Sequence, residues 1–254
     1  CPAGQTACNG TCIDVDSDPN NCGSCGNRCL SGESCNSGSC ECPMGQTCGW
    51  FCTATGCFDA LQIGTGNDHS CALMSNGTVL CWGRNNSYQL GNGTTTDSSV
   101  PVLVPGLNNA IDLSVGADHT CAIQQGGQVV CWGEGSFYRL GDGSQDDNPT
   151  PSNVTNLSDA IAISAGQSPQ GRFTCAIRSG GQAVCWGEGT SYRLGDGSTA
   201  SNQTPGNVTN LSDAIAISVG HQHVCAIRSG GQAVCWGEGR FGRLGDGETT
   251  DNQT

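Results

Sequence analysis

Histidines at 69, 119, 221 and 223, twenty cysteines and 22 carboxylates are the groups in this 254-residue chain that could hold a metal or move a proton. His69, His119 and His223 each follow a glycine by three residues, once per repeating stretch of sequence. A zinc site needs several ligands converging on one point, so a histidine that recurs singly reads as a hydrogen-bonding group of the scaffold. His221 and His223 form a His-x-His pair, but no spare cysteine or third carboxylate stands beside them, and the metal reading there is weak. Cys22-Gly-Ser-Cys25 has the form of a zinc or redox motif, yet the surrounding cysteine density favours structural disulfides. Asp14, Asp16, Asp18 and Asn20 set oxygens on alternate residues, as the start of a calcium loop does. Pro19 replaces the turn glycine and Cys25 the bidentate glutamate, which excludes an EF-hand and leaves calcium a weak candidate for a looser site. Gly237-Glu-Gly239-Arg-Phe-Gly242 spells a dinucleotide fingerprint, but it follows a hairpin strand and opens no helix that could face a pyrophosphate. With no G-x-S-x-G, no H-E-x-x-H and no Walker loop, neither catalytic residues nor a resident cofactor are expected, and the chain reads as a non-enzyme.

The asparagines carry a different chemistry. Asn-x-Ser/Thr occurs ten times, at Asn9, Asn76, Asn85, Asn92, Asn153, Asn156, Asn202, Asn207, Asn210 and Asn252, where composition gives about three. Repeat copying inflates the number, but merging Asn153/Asn207, Asn156/Asn210 and Asn202/Asn252 still leaves seven, so these are candidate N-glycosylation sites in a host with the machinery.

Such groups need a scaffold, and the composition restricts what it can be. Leu, Ile, Val and Phe make only about 17% of the chain, and the net charge is −13, a combination that without covalent help would suggest disorder. Disulfides remove unfolded-state entropy, so a thin core can suffice in an oxidising compartment. The chain therefore reads as extracellular or surface-located. No stretch approaches the ~20 apolar residues of a membrane-spanning helix. All nine basic residues are arginines and none cluster, so a nucleic-acid surface is disfavoured. The sequence opens on Cys1 with no signal peptide, which suggests a mature product or a fragment.

Twelve of the cysteines lie in residues 1–57, which have almost no apolar periodicity, so cystines must replace a core there. Residues 58–254 repeat. Cys71, Cys121, Cys175 and Cys225 are each followed ten residues later by Cys81, Cys131, Cys185 and Cys235, and each second cysteine opens Cys-Trp-Gly. The string CAIRSGGQAVCWGEG occurs identically at 175–189 and 225–239, and duplicated sequence is scaffold first. In TCAIQQGGQVVCWG, apolar runs flank Gln125-Gly126-Gly127, which suits a three-residue hairpin loop. Pairing Gln124 with Gln128 sets Cys121 opposite Cys131, ~4.5–5.5 Å apart at Cα and within reach of a disulfide. The same register applies to Cys71/Cys81, Cys175/Cys185 and Cys225/Cys235. Because side chains alternate along a strand, each Trp points to the face opposite its cysteine, so both faces of the sheet carry apolar bulk. A small sheet buried on both faces fits a propeller blade. No helix is expected.

The pattern G-x-x-H-[S/T/V]-C-A-[I/L]…CWG…LG-[D/N]-G, carried by Gly66…His69, Gly116…His119 and Gly220…His223, resembles the regulator-of-chromosome-condensation repeat over residues 58–254. The resemblance implies an all-β fold, a β-propeller that has seven blades in most of that family, of which four 50-residue repeats would form a part. The third copy departs from it: Gly166 to Cys175 spans nine residues instead of five, and Phe173 stands where the motif has His. NCGSCGNRC, Asn21 to Cys29, is similar to the cysteine-rich module of stigma-specific proteins, and secreted bacterial repeat proteins join the two. Nuclear members of the repeat family are nucleotide exchange factors on a small GTPase, an activity that an acidic, disulfide-rich chain is in the wrong compartment to share.

The expected organisation is a disulfide module at 1–57 and propeller repeats at 58–254, incomplete because the last unit stops at Asn252-Gln253-Thr254 where its predecessor continues. The expected function is non-catalytic binding, with loops presented to a protein or glycan partner. The alternatives are a structural subunit of an extracellular filament or coat that contacts copies of itself, and an inhibitor of a secreted enzyme, since propeller-type β-lactamase inhibitors are similar. A site for one asymmetric partner should use what differs among the repeats. The largest difference is Gln167-Ser168-Pro169-Gln170-Gly171-Arg172-Phe173, four residues longer than its counterparts and supplying an arginine and an aromatic. The bland reading of the same segment is a tolerated insertion with Phe173 tucked into the blade.

Overall fold

A computed structural model of the chain describes residues 1, 4–8, 11–22, 24–25, 34–37, 39–41, 52–53, 56–57, 59–168 and 170–253. Two compact units are present, Cys1–Leu61 with Met74–Asn76, and Gln62–Leu73 with Gly77–Thr254. The first contains three short antiparallel ladders, β1 (Thr6–Cys8) with β2 (Thr11–Ile13), β3 (Ser34–Asn36) with β4 (Ser39–Glu41), and β5 (Cys52–Thr53) with β6 (Gly56–Cys57). Disulfides join Cys1 to Cys12, Cys8 to Cys25 and Cys22 to Cys35. Among the described residues of 1–57, the buried apolar ones are Cys8 and Cys22, so cystine does serve as core here. The two cysteines of the C-x-x-C go to different partners, as structural bridges do. The pairing of the other six N-terminal cysteines falls outside the description.

The repeats form four antiparallel meanders. β7 (Ala60–Thr65), β8 (His69–Met74), β9 (Val79–Gly83) and β10 (Ser98–Leu103) make blade A. β11 (Ala110–Val115), β12 (His119–Gln124), β13 (Val129–Gly133) and β14 (Asn148–Asn153) make blade B. β15 (Ala160–Ala165), β16 (Phe173–Arg178), β17 (Ala183–Gly187) and β18 (Asn202–Asn207) make blade C. Blade D has β19 (Ala214–Val219), β20 (His223–Arg228) and β21 (Ala233–Gly237), and a bridge from Gly237 to Asn252 that repeats the pairing of Gly187 with Asn202.

Every predicted cysteine pair is in register and bonded: Cys71–Cys81, Cys121–Cys131, Cys175–Cys185 and Cys225–Cys235. Their Cα atoms lie 4.0–4.1 Å apart, closer than expected. The cause is parity along the ladder. Gln124 N–H donates to the Gln128 carbonyl at 2.8 Å, and counting back by single residues puts Cys121/Cys131 at a non-hydrogen-bonded pair, where strands approach most closely. The expectation of no helix needs correcting in a small way: three-residue 3-10 turns occur at Ser136–Tyr138, Thr190–Tyr192 and Arg240–Gly242.

The core lies between blades, because each sheet offers its cystine face to the tryptophan face of the next. Cys71, Leu73, Val79 and Cys81 of blade A share a cluster with Ala122, Val130 and Trp132 of blade B. Blade B's cystine meets Ala176, Val184 and Trp186 of blade C, and blade C's meets Val224, Ala226 and Trp236 of blade D. A buried indole must place its N–H, and the repeat supplies the acceptor: Trp132, Trp186 and Trp236 donate to the carbonyls of Gln89, Arg139 and Arg193 in the preceding blade, at 2.9–3.0 Å. These acceptors precede the Leu-Gly of each repeat, and that glycine seats the ring. A Cβ on Gly141, whose φ is +71°, would lie 2.6 Å from the Trp186 indole nitrogen.

The histidines add a second tie. His69 Nε2 lies 2.9 Å from Thr120 Oγ1, and His119 Nε2 lies 2.8 Å from Thr174 Oγ1, each across a blade boundary. Thr174 hydroxyl donates to the Arg139 carbonyl at 3.1 Å, so its oxygen accepts from His119 Nε2–H, which leaves Nδ1 unprotonated. Nδ1 packs against Gly116, where a Cβ would stand 2.6 Å away, and this is the steric reason for glycine three residues before each histidine. The structural role expected for these histidines is the one the geometry gives His69 and His119.

Burial then sets a pH response. Desolvation pushes His69 down to about 4, against a smaller opposing pull from Asp68, and holds His119 well below its ordinary value, with Arg139 and His69 adding to the shift. A folded-state value below the unfolded 6.5 means that the unfolded chain binds the proton first, so stability is full above pH 6.5 and is lost as pH falls toward 4. At ~1.4 kcal/mol per unit, His69 alone contributes a loss of about 2–3 kcal/mol across that window. Asp112 and Asp118, raised chiefly by burial, act with the opposite sign within the carboxylate range. Urea midpoints should hold between pH 7.5 and 6.5 and fall from there to pH 4.5, and His69→Gln should flatten that fall; an unchanged slope in that variant would place the acid sensitivity elsewhere.

Candidate functional site

In a four-stranded meander the first and third connections leave from the same end of the sheet. Backbone bonds fix this pairing in each blade: Arg84, Glu134, Glu188 and Glu238 N–H donate to the carbonyls of Asp68, Asp118, Arg172 and Gln222 at 2.8–2.9 Å. This loop end carries the irregular segment. Gly166 N–H still donates to the Phe173 carbonyl (3.1 Å), as Gly116 does to His119 (2.8 Å), so the extra residues form a bulge that leaves the flanking strand pairing intact. Arg172 occupies the place of Asp118, and a turn closed by Gly171 N–H to the Ser168 carbonyl (2.7 Å) forms the bulge.

Neighbouring blades hold the bulge on both sides. The Arg172 guanidinium lies over the Phe137 ring of blade B, 4.6 Å from its centroid. Arg193 donates to the Gln170 carbonyl at 2.8 Å, and Gln222 Nε2 of blade D donates to Gln170 Oε1 at 3.2 Å. Gln167 and Gln170 are exposed, Ser168 and Arg172 half-buried, and Pro169 lies outside the described residues. Phe173 follows the insertion reading and leaves the partner-binding candidates: it is 0% exposed, in the apolar cluster between blades C and D, and cannot touch a partner.

The arginines before Leu-Gly in blades B, C and D brace the adjoining turns. Arg139 and Arg193 are buried, ion-paired to Glu134 and Glu188 at 3.0 and 3.3 Å, and bonded to the turn carbonyls of Ser136 and Thr190. Burial lowers both, with the glutamates opposing. Arg243 braces the blade D turn in the same way, through Glu238 at 2.7 Å and the Arg240 carbonyl at 2.8 Å, and the turns of blades B and D hold Phe137 and Phe241 at φ 60° and 66°, where bulky residues are rare; Phe241 is 79% exposed. Sequence reasoning missed these two, although the signal was present: serines 87 and 191 fill the same place in the other repeats.

The remaining candidates are not assembled into sites. Asp14 accepts from Asp16 N–H and Ser17 Oγ, and Asp18 from Asn20 N–H and Asn21 Nδ2, so the alternating oxygens cap turns. Backbone donation from Asn20 lowers Asp18. Among the described residues no three His, Cys, Asp or Glu side chains converge as a metal cage. Gly237-x-Gly239 leads into a three-residue turn and no helix. Asn85 is corrected as a glycosylation candidate: it is fully buried and its amide nitrogen donates to Asn92, Thr94 and Thr96. Asn9 lies outside the described residues. No described helix is long and apolar enough to cross a membrane.

Stacked four-stranded blades with a loop-bearing end define a propeller-type repeat scaffold. The regulator of chromosome condensation (RCC1) repeat matches residues 76–123, 126–176 and 181–227, and a second RCC1 repeat pattern matches 61–89, 110–139 and 214–243. The chain belongs to the RCC1 repeat family. Residues 1–43 match the stigma-specific STIG1-like protein family. Among solved structures, Prp20p from Saccharomyces cerevisiae is similar at 18% identity and a TM-score of 0.69, covering 87% of this chain and 53% of that one. Human WBSCR16 is similar at 21% identity and 0.68, covering 92% and 59%. At such identities the likeness is one of fold, and this chain spans about half the length of those structures.

Proposed function

We propose that the chain is a secreted or cell-surface, non-catalytic binding protein that engages a protein partner through the loop end of its blades. The observation that supports this most is the bulge at 167–172. It is the place where one repeat breaks the pattern of the others, and Phe137 contacts its Arg172 while Arg193 and Gln222 bond its Gln170. Contacts that restrict a loop before binding lower the entropy lost on association. Exposed or half-exposed arginine and phenyl groups around it are of the kind enriched at protein interfaces. The reported binding of Gsp1p and histones belongs to Prp20p, but it shows that a scaffold of this fold can serve recognition. The disulfides and the STIG1-like module support an extracellular location.

Joining Gly166 to Phe173 through Ala-Asp, the length of the other repeats, tests the reading. The expected result is loss of the partner captured by the unaltered chain from its native surroundings, with stability lowered by about 1 kcal/mol for the lost stack and hydrogen bonds. Equal capture by both chains would remove the bulge from the interface.

A further inference from the structure

The sequons do not fare alike in the fold, and the differences follow the chemistry of N-glycosylation. The reacting atom is the asparagine Nδ2. It bonds to the anomeric carbon of a lipid-diphosphate-linked oligosaccharide, the carbon–oxygen bond to the diphosphate breaks, the lipid diphosphate leaves with the electron pair, and the amide proton passes to a carboxylate of the transferring enzyme. Transfer precedes folding in a secretory pathway, so the fold decides which occupied asparagines it can carry. Asn85 Nδ2 is sealed among acceptors of Asn92, Thr94 and Thr96, and Asn202 Nδ2 donates to Asp196 Oδ2 at 2.9 Å. Asn92 is half-buried and accepts from Asn85 Nδ2 and Thr94 N–H at 3.2 and 3.1 Å. Asn252 and Asn76 are also half-buried.

Asn153, Asn156, Asn207 and Asn210 differ from these. All four are exposed. They form two equivalent pairs at the ends of β14 and β18 and in the turns that follow, where Asn156 and Asn210 adopt φ of 56° and 57°. Their place in the blade is fixed: Asn153 and Asn207 lie opposite Val130 and Val184, beside the β12–β13 and β16–β17 hairpin tips, while Asn148 and Asn202 at the other ends of the same strands lie opposite Gly133 and Gly187. Both pairs thus stand at the end of the blades away from the bulge.

We infer that Asn153/Asn156 and Asn207/Asn210 are the N-glycosylation sites of the repeats, placed so that carbohydrate covers the hairpin-tip end and the loop end stays bare. The inference rests on the secreted reading above. The test is secretion of the whole chain from a eukaryotic host that also secretes a control glycoprotein, followed by glycopeptide mass spectrometry after enzymatic deglycosylation in heavy-oxygen water. The expected result is heavy-oxygen label at one or both asparagines of each pair in most molecules, with Asn85 and Asn202 unlabelled. Asn153→Gln/Asn156→Gln/Asn207→Gln/Asn210→Gln should bring the mass of the repeats to that of the bare polypeptide. Unlabelled pairs beside a glycosylated control, or label at Asn85 or Asn202 in folded monomer, would overturn the assignment. Retention in the cell with free thiols would overturn the secreted reading, and this inference with it.

Discussion

Trp186→Ala is expected to lower stability by about 3–5 kcal/mol, the range for deleting a large buried aromatic. The ring is 0% exposed and packs against the cystine face of blade B, with Cys121, Cys131 and Leu140 in its cluster. Its N–H also satisfies one side of the Arg139 carbonyl at 2.9 Å, while Thr174 hydroxyl takes the other. Alanine therefore opens a cavity and removes one of two donors from a buried acceptor. Trp186→Phe separates the two effects: it keeps most of the apolar area and should cost about 1–2 kcal/mol for the missing hydrogen bond. Because blades contact only their neighbours, the alanine variant should also uncouple the B–C boundary, giving broader or two-step unfolding. Urea unfolding followed by tryptophan fluorescence and by far-ultraviolet dichroism reads both outcomes. A loss under about 1 kcal/mol would mean that the preceding blade does not depend on this contact.

The cysteine chemistry of the repeats was legible because it is local: the pairing follows from the hairpin register. The spacing of glycine and histidine was visible too, but the ring that lies against the glycine was not. Relations between blades were not legible. The carbonyls of Gln89, Arg139 and Arg193 that receive the indoles are backbone atoms and leave no trace in residue type. The tucking of Phe173 into its blade was open to the sequence, but not the residue that faces it across the boundary, about 50 positions further on. The bulge was visible as extra length, but Arg193 and Gln222 lie 23 and 52 residues beyond the Gln170 they hold, and no periodicity connects them. Asn85 matched a sequon as well as any other, and only its burial separates it from Asn153.

The substitution of Phe173 for histidine has a counterpart in blade D. At the position of Thr120 and Thr174, which pair with the histidines of the preceding blades, blade D has Val224. The C–D boundary has thus replaced a His–Thr hydrogen bond by an apolar pair within one cluster. Either polar residue alone would be buried without its partner. Phe173→His should cost roughly 3–4 kcal/mol, from the smaller ring and an imidazole facing valine. It also removes the ring over which the Arg193 guanidinium lies, 5.5 Å from the centroid. Val224→Thr should cost about 1 kcal/mol, because its hydroxyl can donate to the Arg193 carbonyl as Thr174 does to Arg139. With both changes, the Nε2–H of the introduced imidazole gains an acceptor and the A–B and B–C arrangement is rebuilt, so the double variant should be more stable than the sum predicts by about 1–3 kcal/mol. That imidazole, neutral and buried like His119, should also make the double variant more acid-sensitive than the natural chain below pH 6.5. Additive costs in a double-mutant cycle would show that Phe173 and Val224 pack independently, and that the bulge next to Phe173 arose without any adjustment across the boundary.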